Sequence, residues 1–177
     1  MNTQKPRTLV IAVAAMVGAA YAVLTMALAP ISYGAVQLRV SEALTVLPYF
    51  IPGTAWGLFA GCAIANLMTG NVFDIVFGSL ATLAAGLITA RLGRGGHTVK
   101  SALLACLMPV LFNAVIVGAV ITWAYEGQNI FQHPGVFALN GLWVGLGEAA
   151  VLYLIGFPLL RKLPELKVFR EFVEKCR

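Results

Sequence analysis

Charged residues are scarce in this sequence. Only 11% of the 177 residues are charged, whereas 60% are hydrophobic and the mean hydropathy is +0.88. An ordinary soluble domain carries about 25% charged residues, so the composition excludes that class. Apolar stretches that could cross a ~30 Å hydrocarbon core, which takes about 20 helical residues, recur along most of the chain. The composition therefore predicts a membrane protein without a soluble domain.

Cysteine and histidine are also sparse. The three cysteines, Cys62, Cys106 and Cys176, show neither the spacing of a disulfide framework nor that of a metal site. His97 and His133 are solitary. We therefore expect neither a metal nor a cofactor.

The stretch RLGRGGHTVKS is the nearest approach to a nucleotide-binding motif. A phosphate-binding P-loop needs glycine directly before the lysine, and Val99 stands before Lys100 here. The pattern predicts a flexible basic loop rather than an ATP site. A membrane enzyme is also disfavoured, because no nucleophile with a base, no metal cluster and no paired-acid motif emerges.

Six apolar segments follow one another along the chain. They cover about residues 8–29, 41–50, 53–68, 73–90, 101–125 and 137–160, and a basic tail occupies 161–177. The second and third segments are individually short, and Pro48 and Pro52 fit a broken, shortened second helix. We predict one all-α integral membrane domain, a six-helix transmembrane bundle.

The basic residues form three clusters that predict how this bundle is oriented. Cytoplasmic loops carry the excess of Lys and Arg, and all three clusters share one side only if 41–68 goes across the membrane and back. Both termini are then cytoplasmic. This distribution points to contact with the lipid bilayer rather than with nucleic acid, despite the net charge of +5. The clusters are Lys5 and Arg7; Arg91, Arg94 and Lys100; and Arg161, Lys162, Lys167, Arg170, Lys175 and Arg177.

The tail after residue 161 predicts an amphipathic surface helix. Leu166, Phe169, Phe172 and Val173 recur at helical spacing with basic residues on the other side. Such a helix either anchors the chain at the membrane surface or binds a partner.

The charged residues that lie outside the basic clusters and the tail predict a polar cavity that opens to the outside. Ionisable groups within a bilayer are costly and usually face a cavity or a partner, and here Arg39 stands against four acids: Glu42, Asp74, Glu126 and Glu148. The cavity would suit a small ligand rich in hydrogen-bond donors. Its candidate binding residues are Gln37, Arg39, Glu42, Asn66, Asn71, Asp74, Asn113 and Glu148.

Structural alternatives remain open for several of these residues. Arg39 and Glu42, three apart on a helix, can neutralise each other. Asp74 can be stabilised by the dipole at the start of a helix. Asn113 and Glu148 can serve as hydrogen-bonding groups between helices. Glu148 has no basic residue within ten positions on either side, so it is the strongest ligand candidate.

Small residues in the first span predict a close helix contact. Ala14, Gly18 and Ala22 share one face, with Ala15 and Ala19 beside them. Small residues four apart let helices approach closely. Whether the contact lies within the protein or with a partner subunit is left open by the spacing.

Four stretches carry a family resemblance: LAPISYGAVQLRVSEALTVLP, CAIANLMTGNVFDIVFGSLATL, MPVLFNAVIVG and GLGEAAVLYLIGFPLL. Together they resemble the QueT family, the queuosine-precursor substrate-binding (S) components of energy-coupling factor (ECF) transporters. The resemblance implies uptake of a 7-deazaguanine base, with a membrane coupling subunit and two cytoplasmic ATPases as partners. It also implies that the small-residue surface at Ala14, Ala15, Gly18 and Ala19 contacts the coupling subunit. The outer loop, residues 125–136, matches no family motif.

The main alternative is a self-sufficient, ion-coupled secondary transporter for a small polar or cationic solute. Glu148 or Asp74 would then carry a proton. Such transporters often contain inverted repeats, and none is evident in this sequence, which favours the importer subunit.

Overall fold

The protein is a bundle of helices. The computed structural model describes residues 5–33 and 37–176, with side chains from Arg7 onward, and contains no strand in that part of the chain. Arg177, the last residue of the basic tail, and the side chain of Lys5 lie outside the described set. The helices are α1 (Lys5–Ala27), α2 (Ala29–Ser32), a 3₁₀ helix (Val40–Tyr49), α3 (Thr54–Asn66), α4 (Ser79–Arg94), α5 (Val99–Val120), α6 (Pro134–Val151), α7 (Phe157–Lys162) and α8 (Lys167–Cys176).

Four helical rods are long and apolar enough to cross a membrane. π-helical turns lengthen three of them: Asp74–Gly78 precedes α4, Ile121–Tyr125 follows α5, and Leu152–Gly156 joins α6 to α7. The rods are Arg7–Ala27, Asp74–Arg94, Val99–Tyr125 and Pro134–Glu165, and a shorter apolar helix covers Thr54–Thr69. The predicted span over 41–50 is the ten-residue 3₁₀ helix.

The 3₁₀ helix and the residues just before it nevertheless connect the two ends of the bundle, since a 3₁₀ helix rises about 2.0 Å per residue, more than an α-helix. Just before it, the Leu38 N–H donates to the Ile31 carbonyl beyond the end of α1 (3.0 Å). At its far end, the Tyr49 hydroxyl donates to the Gly96 carbonyl between α4 and α5 (3.1 Å). α3 then returns, and the chain reverses at each later connection. The predicted all-α, polytopic bundle is confirmed, with two of its six passes short.

The two ends of the bundle differ in charge. The basic end holds the start of α1, the loop 95–98 and α8; the acidic end, opposite, holds Asp74 and Glu126. Exposed tryptophans lie near both ends, Trp56 towards the basic end and Trp123 and Trp143 towards the acidic end, as expected at membrane–water boundaries. The cytoplasmic location of the basic end stays a prediction.

Within the tail, Lys167–Cys176 forms an amphipathic helix whose apolar face covers the bundle itself. In α8, Val173 is buried and Phe169 and Phe172 pack around it. The Phe169 ring lies 5.2 Å from that of Phe50 in an edge-to-face arrangement. Both described chain ends therefore lie at the basic end.

α1 and α3 are held together by small residues. A Cβ added to Gly57 would overlap the Ala14 carbonyl, and one added to Gly61 would overlap the Gly18 carbonyl. Ala14 and Gly18 are buried against α3 within the protein, so the small residues make an internal contact, and a partner contact by these two residues stays a prediction. Ala15 and Ala19 point away from this contact and are exposed, so the prediction about these two residues is unaffected.

Candidate functional site

A cluster of polar side chains lies buried in the middle of the bundle. Arg39 and Glu42 come from the start of the 3₁₀ helix, Tyr21 from α1, Asn113 from α5 and Glu148 from α6. None is more than 2% exposed. We call these five residues the central cluster. Four of them were predicted, and the fold brings all five together from four different segments.

Arg39 and Glu42 do pair with each other. Arg39 Nη1 lies 3.7 Å from Glu42 Oε1, and the Tyr21 hydroxyl donates to the same carboxylate oxygen. The guanidinium carbon of Arg39 also lies 5.8 Å from the ring centroid of Tyr33, a cation–π distance. The pairing occupies one oxygen of Glu42 and leaves the other without a partner.

Asn113 and Glu148 connect α5 and α6. Asn113 Nδ2 donates to Glu148 Oε1 at 2.8 Å, so the interhelical hydrogen bond considered from the sequence is present. Beside Glu148, Gly147 lets the backbone of Gln37 approach closely, because an added Cβ would overlap the Gln37 carbonyl. The segment that leads into the 3₁₀ helix is thereby held against α6.

Four side-chain atoms of the central cluster make no hydrogen bond with the described residues. Buried polar atoms in folded proteins nearly always have a partner, yet several here find none within the described part of the chain. These atoms can satisfy the donors and acceptors of a ligand. They are Arg39 Nε, Glu42 Oε2, Asn113 Oδ1 and Glu148 Oε2. Outside the central cluster, Asn66 Oδ1 is also buried without a hydrogen-bond partner among the described residues.

A cavity of about 580 Å³ opens at the acidic end, and it is lined by none of the five central-cluster residues but by Tyr33 and Gln37, which both contact Arg39. Gln37 links the cavity to the central cluster, because it lines the cavity and its Oε1 accepts a hydrogen bond from Arg39 Nη2 (3.4 Å). Asp74 also lines the cavity and accepts from the Tyr125 hydroxyl (3.4 Å). This volume is typical of small-molecule sites.

The two remaining predicted residues, Asn66 and Asn71, lie at the edge of the candidate site. Asn66 Nδ2 donates to the Asp74 carbonyl (3.1 Å) and so joins α3 to the turn before α4. Asn71 Oδ1 accepts from the Phe73 N–H (2.9 Å), a local turn contact. Asp74 lies in the first helical turn, where the dipole favours a carboxylate, as considered above.

Several residues of the site were not predicted. Tyr33, Tyr125, Glu126, Asn140 and Trp143 all line the cavity. Asn140 Nδ2 donates to Glu126 Oε2 (3.0 Å) and to Thr122 Oγ1 (3.1 Å), which ties the unassigned outer loop to α6. An amide within an apolar span was a usable signal for Asn140, as it was for Asn113. Tyr21, the unpredicted member of the central cluster, gave no comparable signal among its small neighbours.

Comparison with known proteins supports a transport role. The model of the family described as "QueT transporter" matches residues 11–165. The protein named "Queuosine precursor transporter QueT" from Lactococcus lactis subsp. cremoris is 38% identical over 82 residues, which is 45% of this chain and 48% of that relative. The match thus spans about half the length of the curated relative. No solved structure matches the chain. Because the family model covers most of the sequence and the fold is a polytopic bundle, this multi-pass membrane protein belongs to the QueT transporter family.

Proposed function

We propose that this protein binds a queuosine precursor, a 7-deazaguanine base, as the substrate-binding subunit of an ATP-driven ECF importer. One observation carries the proposal. Two buried carboxylates, Glu42 and Glu148, each keep one oxygen without a protein partner. Arg39 of the same cluster contacts Gln37 and Tyr33, which line a cavity of about 580 Å³.

The chemistry of the base matches these atoms. A guanine-type edge offers adjacent N–H donors, and a carboxylate accepts such donors in charge-assisted bonds. The carbonyl of the base needs a donor, and Arg39 Nε is buried without an acceptor. The amide oxygen of Asn113 can take a further N–H. The central cluster therefore supplies acceptors and a donor in the mixture that this edge requires.

The charges favour a ligand that carries a positive substituent. The central cluster has one cation, Arg39, against the two acids Glu42 and Glu148, and the cavity adds Asp74 and Glu126. An aminomethyl group on the base would offset this surplus. Calorimetric titration with the cyano, aminomethyl and fully elaborated bases, and with guanine as a control, tests the proposal. Absence of binding by all of these bases would refute it.

Coupling to ATP hydrolysis is the second part of the proposal. Ala15 and Ala19 form a small-residue surface on α1 that is exposed while their neighbours Ala14 and Gly18 are buried. Close helix approach by a membrane coupling subunit suits such a surface. Two cytoplasmic ATPases would complete the complex.

Reconstitution distinguishes the importer subunit from an ion-coupled transporter. Vesicles that contain the protein alone should bind the base without accumulating it, whereas addition of the coupling subunit and ATPases should give uptake that requires ATP. Uptake by the protein alone, driven by a proton gradient, would instead support the secondary transporter.

The proposed orientation can be tested in the same vesicles. Gly95 lies at the basic end and the side chain of Phe131 is 93% exposed at the acidic end. In a chain with Cys176 replaced by Ser, Gly95→Cys should react with an impermeant thiol reagent from the cytoplasmic side and Phe131→Cys from the outside. Reaction of both from one side would contradict the topology.

A further inference from the structure

We propose that a second cavity, at the basic end, binds the phosphate headgroup of an anionic phospholipid. This cavity of about 440 Å³ lies between Tyr49, Phe50 and Pro52 on one side and Gly93, Arg94 and His97 on the other. It lies at the opposite end from the proposed substrate site and does not depend on what that site binds. We call it the basic-end cavity.

The polar groups of the basic-end cavity suit an anion. Arg94 offers a guanidinium that can bond phosphate through two N–H groups at once. The imidazole of His97 has an N–H donor in either protonation state. Neither residue takes part in a salt bridge within the described residues, and no carboxylate there lines the cavity. Arg94 lies in the last turn of α4, where a basic side chain interacts favourably with the helix dipole. This interaction does not explain why a cavity lies beside Arg94.

The loop that carries His97 is held in place before any ligand arrives. The His97 ring lies 5.6 Å from Phe50 in a stacked arrangement and 5.1 Å from Tyr49. The hydroxyls of Tyr49 and Ser101 both donate to the Gly96 carbonyl, at 3.1 Å and 2.7 Å. A preorganised loop loses little conformational entropy on binding.

The position of the cavity at the ends of two apolar helices favours a lipid as its occupant. Pro52 lies just before α3, and Gly93 and Arg94 end α4, so the cavity is level with the ends of two membrane-crossing segments. Trp56, in the first turn of α3, is 59% exposed, as expected for a side chain at the membrane interface. Basic pockets between helices at the cytoplasmic surface bind anionic headgroups. The aromatic and proline wall can contact the apolar part of the lipid beside its headgroup.

Native mass spectrometry of the detergent-purified full chain tests this proposal. The protein is titrated with phosphatidylglycerol and, in parallel, with phosphatidylcholine of the same chain length. We expect one saturable phosphatidylglycerol that binds at least about fivefold more tightly than phosphatidylcholine. Arg94→Gln and His97→Gln, each measured singly, should each weaken phosphatidylglycerol at least about fivefold, in the range expected for loss of a hydrogen bond to a charged group.

Arg91→Gln is the matched control. Arg91 lies one turn earlier on α4 and is exposed, but it does not line the cavity, so its loss should change affinity by less than about twofold. Equal weakening by all three variants would overturn the proposal in favour of diffuse surface charge. Unchanged affinity in both cavity variants would also overturn it. If millimolar inorganic phosphate displaces the lipid, the site binds a free anion and the lipid assignment fails.

Discussion

Replacing Glu148 by glutamine tests the central cluster most directly. In the present structure, Glu148 Oε1 accepts from Asn113 Nδ2 at 2.8 Å and Oε2 has no protein partner. A glutamine that keeps its oxygen towards Asn113 must place its NH₂ where Oε2 now lies. The N–H donors of a guanine-like edge would then meet a donor instead of an acceptor.

The magnitude follows from the hydrogen bond that is lost. A buried donor left unsatisfied costs about 1–3 kcal/mol, and each 1.4 kcal/mol is about a tenfold change in affinity. Glu148→Gln should therefore weaken the ligand about 5- to 140-fold. The side chain keeps its shape and removes a buried charge, so the thermal midpoint should not fall.

Isothermal titration of the purified variant, with the tightest uncharged base as ligand, measures this effect. Glu126→Gln is the matched control, because Glu126 is an acid that lines the cavity but is exposed, and its effect should stay below about twofold. If Glu148→Gln binds as tightly as the parent protein, the reasoning is refuted and Glu42 becomes the leading ligand carboxylate.

Two further predictions concern the faces of α1. Replacing Ala15 and Ala19 together by Leu should abolish co-purification with the coupling subunit, while the substrate affinity measured by calorimetry should change less than about twofold. The control Ala20→Leu, at a neighbouring exposed position, should retain the complex. Intact co-purification of the double variant would show that this surface is not part of the interface. Gly57→Ala should lower the thermal midpoint in detergent, because overpacking costs about 1–3 kcal/mol where an added Cβ overlaps the Ala14 carbonyl. Gly145→Ala meets only ordinary contacts and should be neutral or stabilising by up to about 1 kcal/mol, so equal losses in both variants would contradict the tight α1–α3 contact.

Much of the fold could be predicted because it depends on properties that act locally along the chain. Long apolar runs and their basic flanks identified the four long rods. Placing all basic clusters on one side of the membrane required an even number of crossings before Arg91, so residues 41–68 were predicted to cross twice. The sequence did not indicate that Val40–Tyr49 would be a 3₁₀ helix. Its buried surface on several sides, rather than its propensity, stabilises that conformation.

The site was predictable where a residue violates the rules of its surroundings. Glu148 and Asn113 are polar within apolar spans, and the fold brings them into contact across two helices. Tyr21 and Trp143 carry no such signal, since aromatic residues are ordinary in membrane helices. Ala14 and Ala15 are adjacent and identical in type, yet only the packing of α3 decides that the first is buried and the second exposed.

The short 3₁₀ helix has a consequence for how the protein enters the membrane during synthesis. Ten residues are half of what an independent transmembrane segment needs, and Glu42 near its start would be costly in bare lipid. Val40–Tyr49 is therefore unable to partition into the bilayer by itself. Its insertion has to wait until α3 has emerged, and Glu42 Oε1 gains its hydrogen bond only through Tyr21 of α1. Biogenesis of this chain thus requires its early helices to stay together beside the translocation machinery until the third has been made.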